Sequence, residues 1–142
     1  MTQETPLTKE KTYHIRNSEK CFRFKPDAFC SHAPANKGIY ELVTFDEQQK
    51  PKVLFVGAAF EKGILASLEA HAAGTLAPAS TDIFAKYPNL YFDYLTQMDA
   101  KTREDAQDIY WWLVQKHQPP YNDVAAVKHS GRYEKIDVVE QD

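Results

Sequence analysis

Residues 37–59, KGIYELVTFDEQQKPKVLFVGAA, set two apolar runs on either side of the polar link DEQQKP. Short runs rich in β-branched and aromatic residues, bounded by turn formers, are strands. The spacing predicts strands over Gly38 to Phe45 and Val53 to Val56, joined as a hairpin. Gly57 and the small Ala58 and Ala59 are expected to end the second strand. A helix is predicted next, over 61–73, because Ile64, Leu65, Leu68 and Ala72 recur on one face. Gly74 supplies its stop. A hairpin feeding an amphipathic helix must bury one sheet face under that helix, which points to an α/β (α+β) domain.

The rest of the chain extends this pattern. TYHI and CFRF are β-like runs around the turn-like RNSEK. KPDAFCSHAPANK is expected to be a loop, with Pro26 and Pro34 as breakers. One short helix is predicted after Ser80 or Thr81. LYFDYLTQM alternates and is aromatic, so it is read as a third core strand. The strongest helix follows, capped by Asp99 or Thr102, with Thr102 and Asp105 resembling a capping box. Ala106, Ile109, Tyr110 and Leu113 form its core face, and Pro119 and Pro120 stop it. RYEKIDVV offers a last strand. The expected architecture is a small central three-stranded sheet flanked by helices, with N-terminal strand additions. One domain is expected over 12–142, with its core at 38–122, after a disordered lead-in at 1–11.

Composition narrows the function classes. The net charge is −3, whereas holding a phosphate backbone usually calls for a basic surplus. The balance is uneven. Residues 1–37 carry seven Lys/Arg against four Asp/Glu, and residues 38–142 carry ten against sixteen. Cys21 and Cys30 match no metal spacing. The polar start and the lack of a long apolar run predict a cytoplasmic chain with no membrane partner.

Three matches, in order and spacing, resemble the GIY-YIG nuclease family. Gly38-Ile39-Tyr40 is the first triplet. Phe55-Val56-Gly57 stands at the second, which is usually Tyr-x-Gly. LVQKHQPPYN, Leu113 to Asn122, is similar to the family's helix end and its Pro-x-Tyr-Asn segment. His71 fits a position where the family often has His. The resemblance implies phosphodiester hydrolysis by two Tyr, an Arg on the first helix and a Glu on the later helix. A Tyr hydroxyl helps deprotonate the attacking water. The Arg steadies charge on the phosphate. The Glu holds a divalent cation.

Of these four groups only Tyr40 is present. Phe55 keeps the ring of the second Tyr and loses its hydroxyl. Ser67 or Gly63, depending on the anchor, stands for the Arg, and Tyr110 for the Glu. Lys62 is the nearest cation, and a compact ammonium replaces a guanidinium poorly at a bidentate site. Glu104, Asp105 and Asp108 fall on other helix faces and are expected to form a solvated surface.

The leading expectation is therefore a catalytically degenerate GIY-YIG-type domain that needs no cofactor. It would bind a partner protein or nucleic acid, DNA included. An active endonuclease is the alternative. It would use Mg²⁺ or Mn²⁺ at Tyr40 with Asp108, Glu104 or Glu61 recruited. A third reading is a structural subunit of a larger assembly, with Tyr110-Trp111-Trp112 as its contact. Three adjacent aromatics cannot share one helix face, so the expectation is that residues 12–36 cover them, or that Trp111 is a stacking platform. Lys62, Lys116, His117 and Asn122 are candidates for one anion-binding rim, and His71 faces the same pocket.

Overall fold

The computed structural model describes residues 9–141. The chain runs β1 (Glu10–Asn17), β2 (Phe22–Arg23), α1 (Pro26–His32), β3 (Gly38–Phe45), β4 (Pro51–Ala59) and α2 (Ile64–Ala73). It continues through α3 (Ser80–Phe84), β5 (Tyr91–Met98), α4 (Arg103–His117), a 3-10 turn (Val124–Ala126) and β6 (Lys135–Gln141). This is a mixed α/β architecture around one sheet.

The sheet has six strands, more than the three-stranded core expected, in the order β4-β3-β5-β1-β6. β3 pairs antiparallel with β4 on one side and with β5 on the other. The far edge of β5 is shared. β2 takes Tyr91 and Phe92, and β1 takes Leu95 to Met98. β6 then pairs parallel with β1. TYHI and CFRF are therefore strands that never pair with each other. Of the lead-in expected at 1–11, Glu10 and Lys11 belong to β1, and residues 1–8 lie outside the described residues.

Alternation along the strands divides the core in two. Tyr40, Leu42, Leu54 and Phe92 pack with Phe29 of α1, Ile64 and Leu68 of α2 and Ile83 of α3. On the opposite face Tyr13, Ile15, Ile39 and Val56 pack with Ile109, Leu113 and Val114 of α4. Three short helices thus cover one side, and α4 with Val124 and Val127 at the 3-10 turn packs on the other.

Local chemistry explains the boundaries. Thr102 caps α4 by accepting from the Asp105 amide, and Asp105 closes the box back onto the Thr102 amide. Gly74 ends α2 in the left-handed region at φ 79°. Asp46 shapes the hairpin turn by accepting from the amides of Gln48 and Lys50.

Three expectations fail here. The segment read as a loop contains α1, because Pro26 stands at the start of that helix, where its missing N–H costs nothing. β4 runs through Gly57, Ala58 and Ala59 rather than stopping there, because Gly57 lies under the Tyr40 ring. α2 begins at Ile64, since Gly63 turns the chain at φ 91° beside the Ala35 carbonyl.

Among the described residues no helix is long and apolar enough to cross a membrane. Cys21 and Cys30 are both free thiols.

Candidate functional site

Tyr40 is the one retained group, and the register explains its setting. It stands opposite Gly57, with its ring across β4 at the point where a Cβ on residue 57 would overlap it. Its hydroxyl lies 2.5 Å from His71 Nε2. The other imidazole nitrogen, Nδ1, lies 2.9 Å from the Pro78 carbonyl oxygen. A carbonyl only accepts, so Nδ1 carries the hydrogen. Burial lowers the His71 pKa, which favours the neutral ring, so Nε2 accepts the phenolic proton. Burial likewise raises the Tyr40 pKa, with Tyr110 adding to the rise and the Ser67 hydroxyl opposing it. Phe55 completes the cluster, with its ring 6.3 Å from Tyr40 and 5.3 Å, edge to face, from His71.

Tyr40 is 2% exposed and His71 fully buried. The pair forms a hydrogen-bonded clamp between β3 and α2. The phenolic proton is committed to the imidazole, and neither group faces solvent.

The positions matched to lost catalytic groups have structural work. Ser67 is buried and its hydroxyl donates to the Gly63 carbonyl at 2.8 Å. Tyr110 is half-buried beside Phe60 and receives a long hydrogen bond, 3.4 Å, from Asn122 Nδ2. Asn122 clasps the backbone of Val56. Its Oδ1 accepts from the amide at 2.8 Å and its Nδ2 donates to the carbonyl at 3.0 Å. With Tyr121 N donating to the Leu54 carbonyl, the Pro-Tyr-Asn segment covers the otherwise unpaired edge of β4.

The expected anion rim does not assemble. Lys62 lies beside the start of α4, whereas Lys116 and His117 lie at its end, about 20 Å along a helix of this length. Lys116 pairs with Glu140, His117 lies 3.5 Å from Glu41, and Asn122 is held by Val56. Tyr110 and Trp112 pack against the core cluster that includes Tyr13 and Ile15, whereas the Trp111 ring packs edge to face on His129, at 4.8 Å, and the Trp112 ring also lies under Lys116 Nζ.

The carboxylates proposed as substitutes are placed elsewhere. Asp108, expected in a solvated face, is fully buried. It accepts from the Ser130 amide and hydroxyl, the Tyr13 hydroxyl and Arg132 Nη2. Asp105 shares Tyr13 and Arg132. Burial alone would raise the Asp105 pKa, but these donors hold it below the ordinary value. Glu61 and Glu104 are exposed. Among the described residues no three His, Cys, Asp or Glu are grouped to hold a metal ion.

One constellation escaped the sequence reading. Glu41 stands opposite Asp93 across β3 and β5, on the face that α4 covers. Glu41 is 4% exposed. Burial raises both carboxyl pKa values, and the facing Asp93 carboxyl raises that of Glu41 further. Cys21 Sγ lies 3.7 Å from Asp93, and burial together with that carboxylate pushes the thiol up to about 12. A signal was present in GIYELVTF and YFDYL, where a lone acid interrupts each apolar run.

Beside the Tyr40 clamp, at the end of β4, opens a cleft of about 320 Å³. Ala58, Phe60, Ser67, Ala70, Arg103 and Gln107 are among its walls.

A family model described as an uncharacterised protein matches residues 3–142, and the chain belongs to that family. No curated protein and no solved structure matches it.

Proposed function

We propose that this chain is a binding module built on a GIY-YIG-like scaffold, which engages a partner protein or nucleic acid and does not hydrolyse it. The single observation that carries this reading is the commitment of the Tyr40 phenol. A phenol that helps to deprotonate water must be accessible and able to take up a proton. Tyr40 is buried, donates to a neutral His71, and has its ionisation opposed by burial.

The surroundings support the same conclusion. Ser67 and Gly63 offer no guanidinium and Tyr110 no carboxylate, and Asp108 is enclosed by its own partners. The strand order β4-β3-β5, with α2 after β4 and α4 after β5, supports the GIY-YIG-like reading of the scaffold.

The test is incubation with linear and branched DNA in Mg²⁺ or Mn²⁺, scoring binding and cleavage together. The expected result is no cleavage by the wild type. Cleavage that Tyr40→Phe abolishes would overturn the proposal in favour of an active endonuclease.

A further inference from the structure

The cleft at the end of β4 is one part of a longer channel. Two further hollows, of about 250 and 260 Å³, adjoin it across the end of the sheet where β3 begins and β4 and β5 finish. Phe60 and Arg103 wall both the first and the second hollow. Lys37, Gly38 and Met98 wall both the second and the third.

The charge of this channel inverts that of the molecule. Lys37, Lys62, Lys101 and Arg103 line it, against a single carboxylate, Glu61. All four cations are exposed, and among the described residues none makes a salt bridge. The nearby Asp99 is engaged with His14. Arg103 lies over the Phe60 ring at 4.2 Å, which fixes a cationic plane at the junction of two hollows. At the start of α4 the Asp105 amide donates to the Thr102 hydroxyl, and the Asp105 carboxylate accepts from the Lys101 and Thr102 amides just before the helix.

We infer that this channel binds single-stranded nucleic acid, with phosphates on Lys37, Lys62, Lys101 and Arg103 and bases against Phe60, Met98 and Tyr94. The inference rests on the binding reading above and names its ligand and place. Unpaired cations alternating with aromatic and aliphatic walls form the arrangement that tracks a flexible polyanion while giving its bases apolar faces. Each hollow, at about 250–320 Å³, is large enough to receive an unstacked base. Release of counterions from neutralised phosphates makes such binding fall steeply with salt.

The experiment is fluorescence anisotropy of a labelled oligothymidylate of about 12 nucleotides, with the full chain. Wild type is compared with Lys37→Glu/Arg103→Glu and with the equally charged control Lys50→Glu/Lys135→Glu. The control residues lie on the hairpin turn and on β6. Lys37→Gln/Lys101→Gln serves if the first variant does not fold, as judged by circular dichroism. The expected result is salt-sensitive binding that the channel variant weakens by about tenfold or more while the control does not. Equal weakening by both variants, or no binding by wild type at low salt, overturns the inference. Displacement of the oligonucleotide by polyglutamate more readily than by unlabelled oligothymidylate also overturns it and assigns the channel to an acidic protein segment. These failures leave the non-catalytic reading standing, since that falls only to Tyr40-dependent cleavage.

Discussion

Glu41 on β3 faces Asp93 on β5 beneath α4, where burial raises the pKa of both acids and opposes a second negative charge. A carboxyl whose folded pKa is raised contributes fully below its unfolded value, about 4. That contribution is lost as pH rises through the folded value. Asp105 works in the opposite sense. Its folded pKa is depressed, so its stabilisation is lost as pH falls below the ordinary carboxylate range. Thermal melting should therefore be highest in mildly acidic buffer and should decline as pH rises above the ordinary carboxylate range. Glu41→Gln should flatten the alkaline side and raise stability there. An unchanged slope in that variant would refute a raised Glu41 carboxyl.

Tyr40→Phe removes the proton that His71 Nε2 accepts and leaves a buried acceptor unsatisfied. The expected cost is about 1–3 kcal/mol in denaturant unfolding. Thermal melting should fall in parallel. Unchanged stability would show that the phenol and imidazole are not bonded.

Gly57→Ala places a methyl group in the Tyr40 ring. Overpacking of this kind costs about 1–3 kcal/mol. Because the overlap involves ring carbons as well as the hydroxyl, adding Tyr40→Phe should not restore stability, whereas adding Tyr40→Val should restore part of it. Rescue by Phe would mean that only the hydroxyl is crowded.

Asn122→Ala removes both hydrogen bonds to the Val56 backbone. Amide hydrogen exchange at Val56 should accelerate, and stability should drop by about 1–3 kcal/mol. Asn122→Asp keeps the acceptor and loses the donor, so it should protect the Val56 amide better than Ala does. Equal exchange in both variants would show that Oδ1 is not the amide's partner.

What the sequence made legible was what local chemistry decides. The bounds of β3, the capping box at Thr102 and Asp105, and the stop at Gly74 all depend on neighbours within a few residues. What it concealed depends on partners far along the chain. Pro26 reads as a breaker until the residues after it are seen to pack Phe29 into the core. Asp108 reads as a surface acid until Ser130 and Arg132 close over it. Tyr40, Phe55 and His71 were each singled out, and the structure brings them together. Lys62, Lys116, His117 and Asn122 were also grouped, but the length of α4 separates them. Of the channel cations only Lys62 is a candidate in the sequence, because Lys37, Lys101 and Arg103 come from segments that only the fold brings beside it.

The parallel pairing of β1 with β6, from Glu10 beside Lys135 to Arg16 beside Gln141, carries a mechanical consequence. A pull on Glu10 and Gln141 loads the two strands from opposite ends, so their hydrogen bonds bear the force together in shear. The rim would then resist stretching as a glued lap joint does, instead of peeling apart bond by bond.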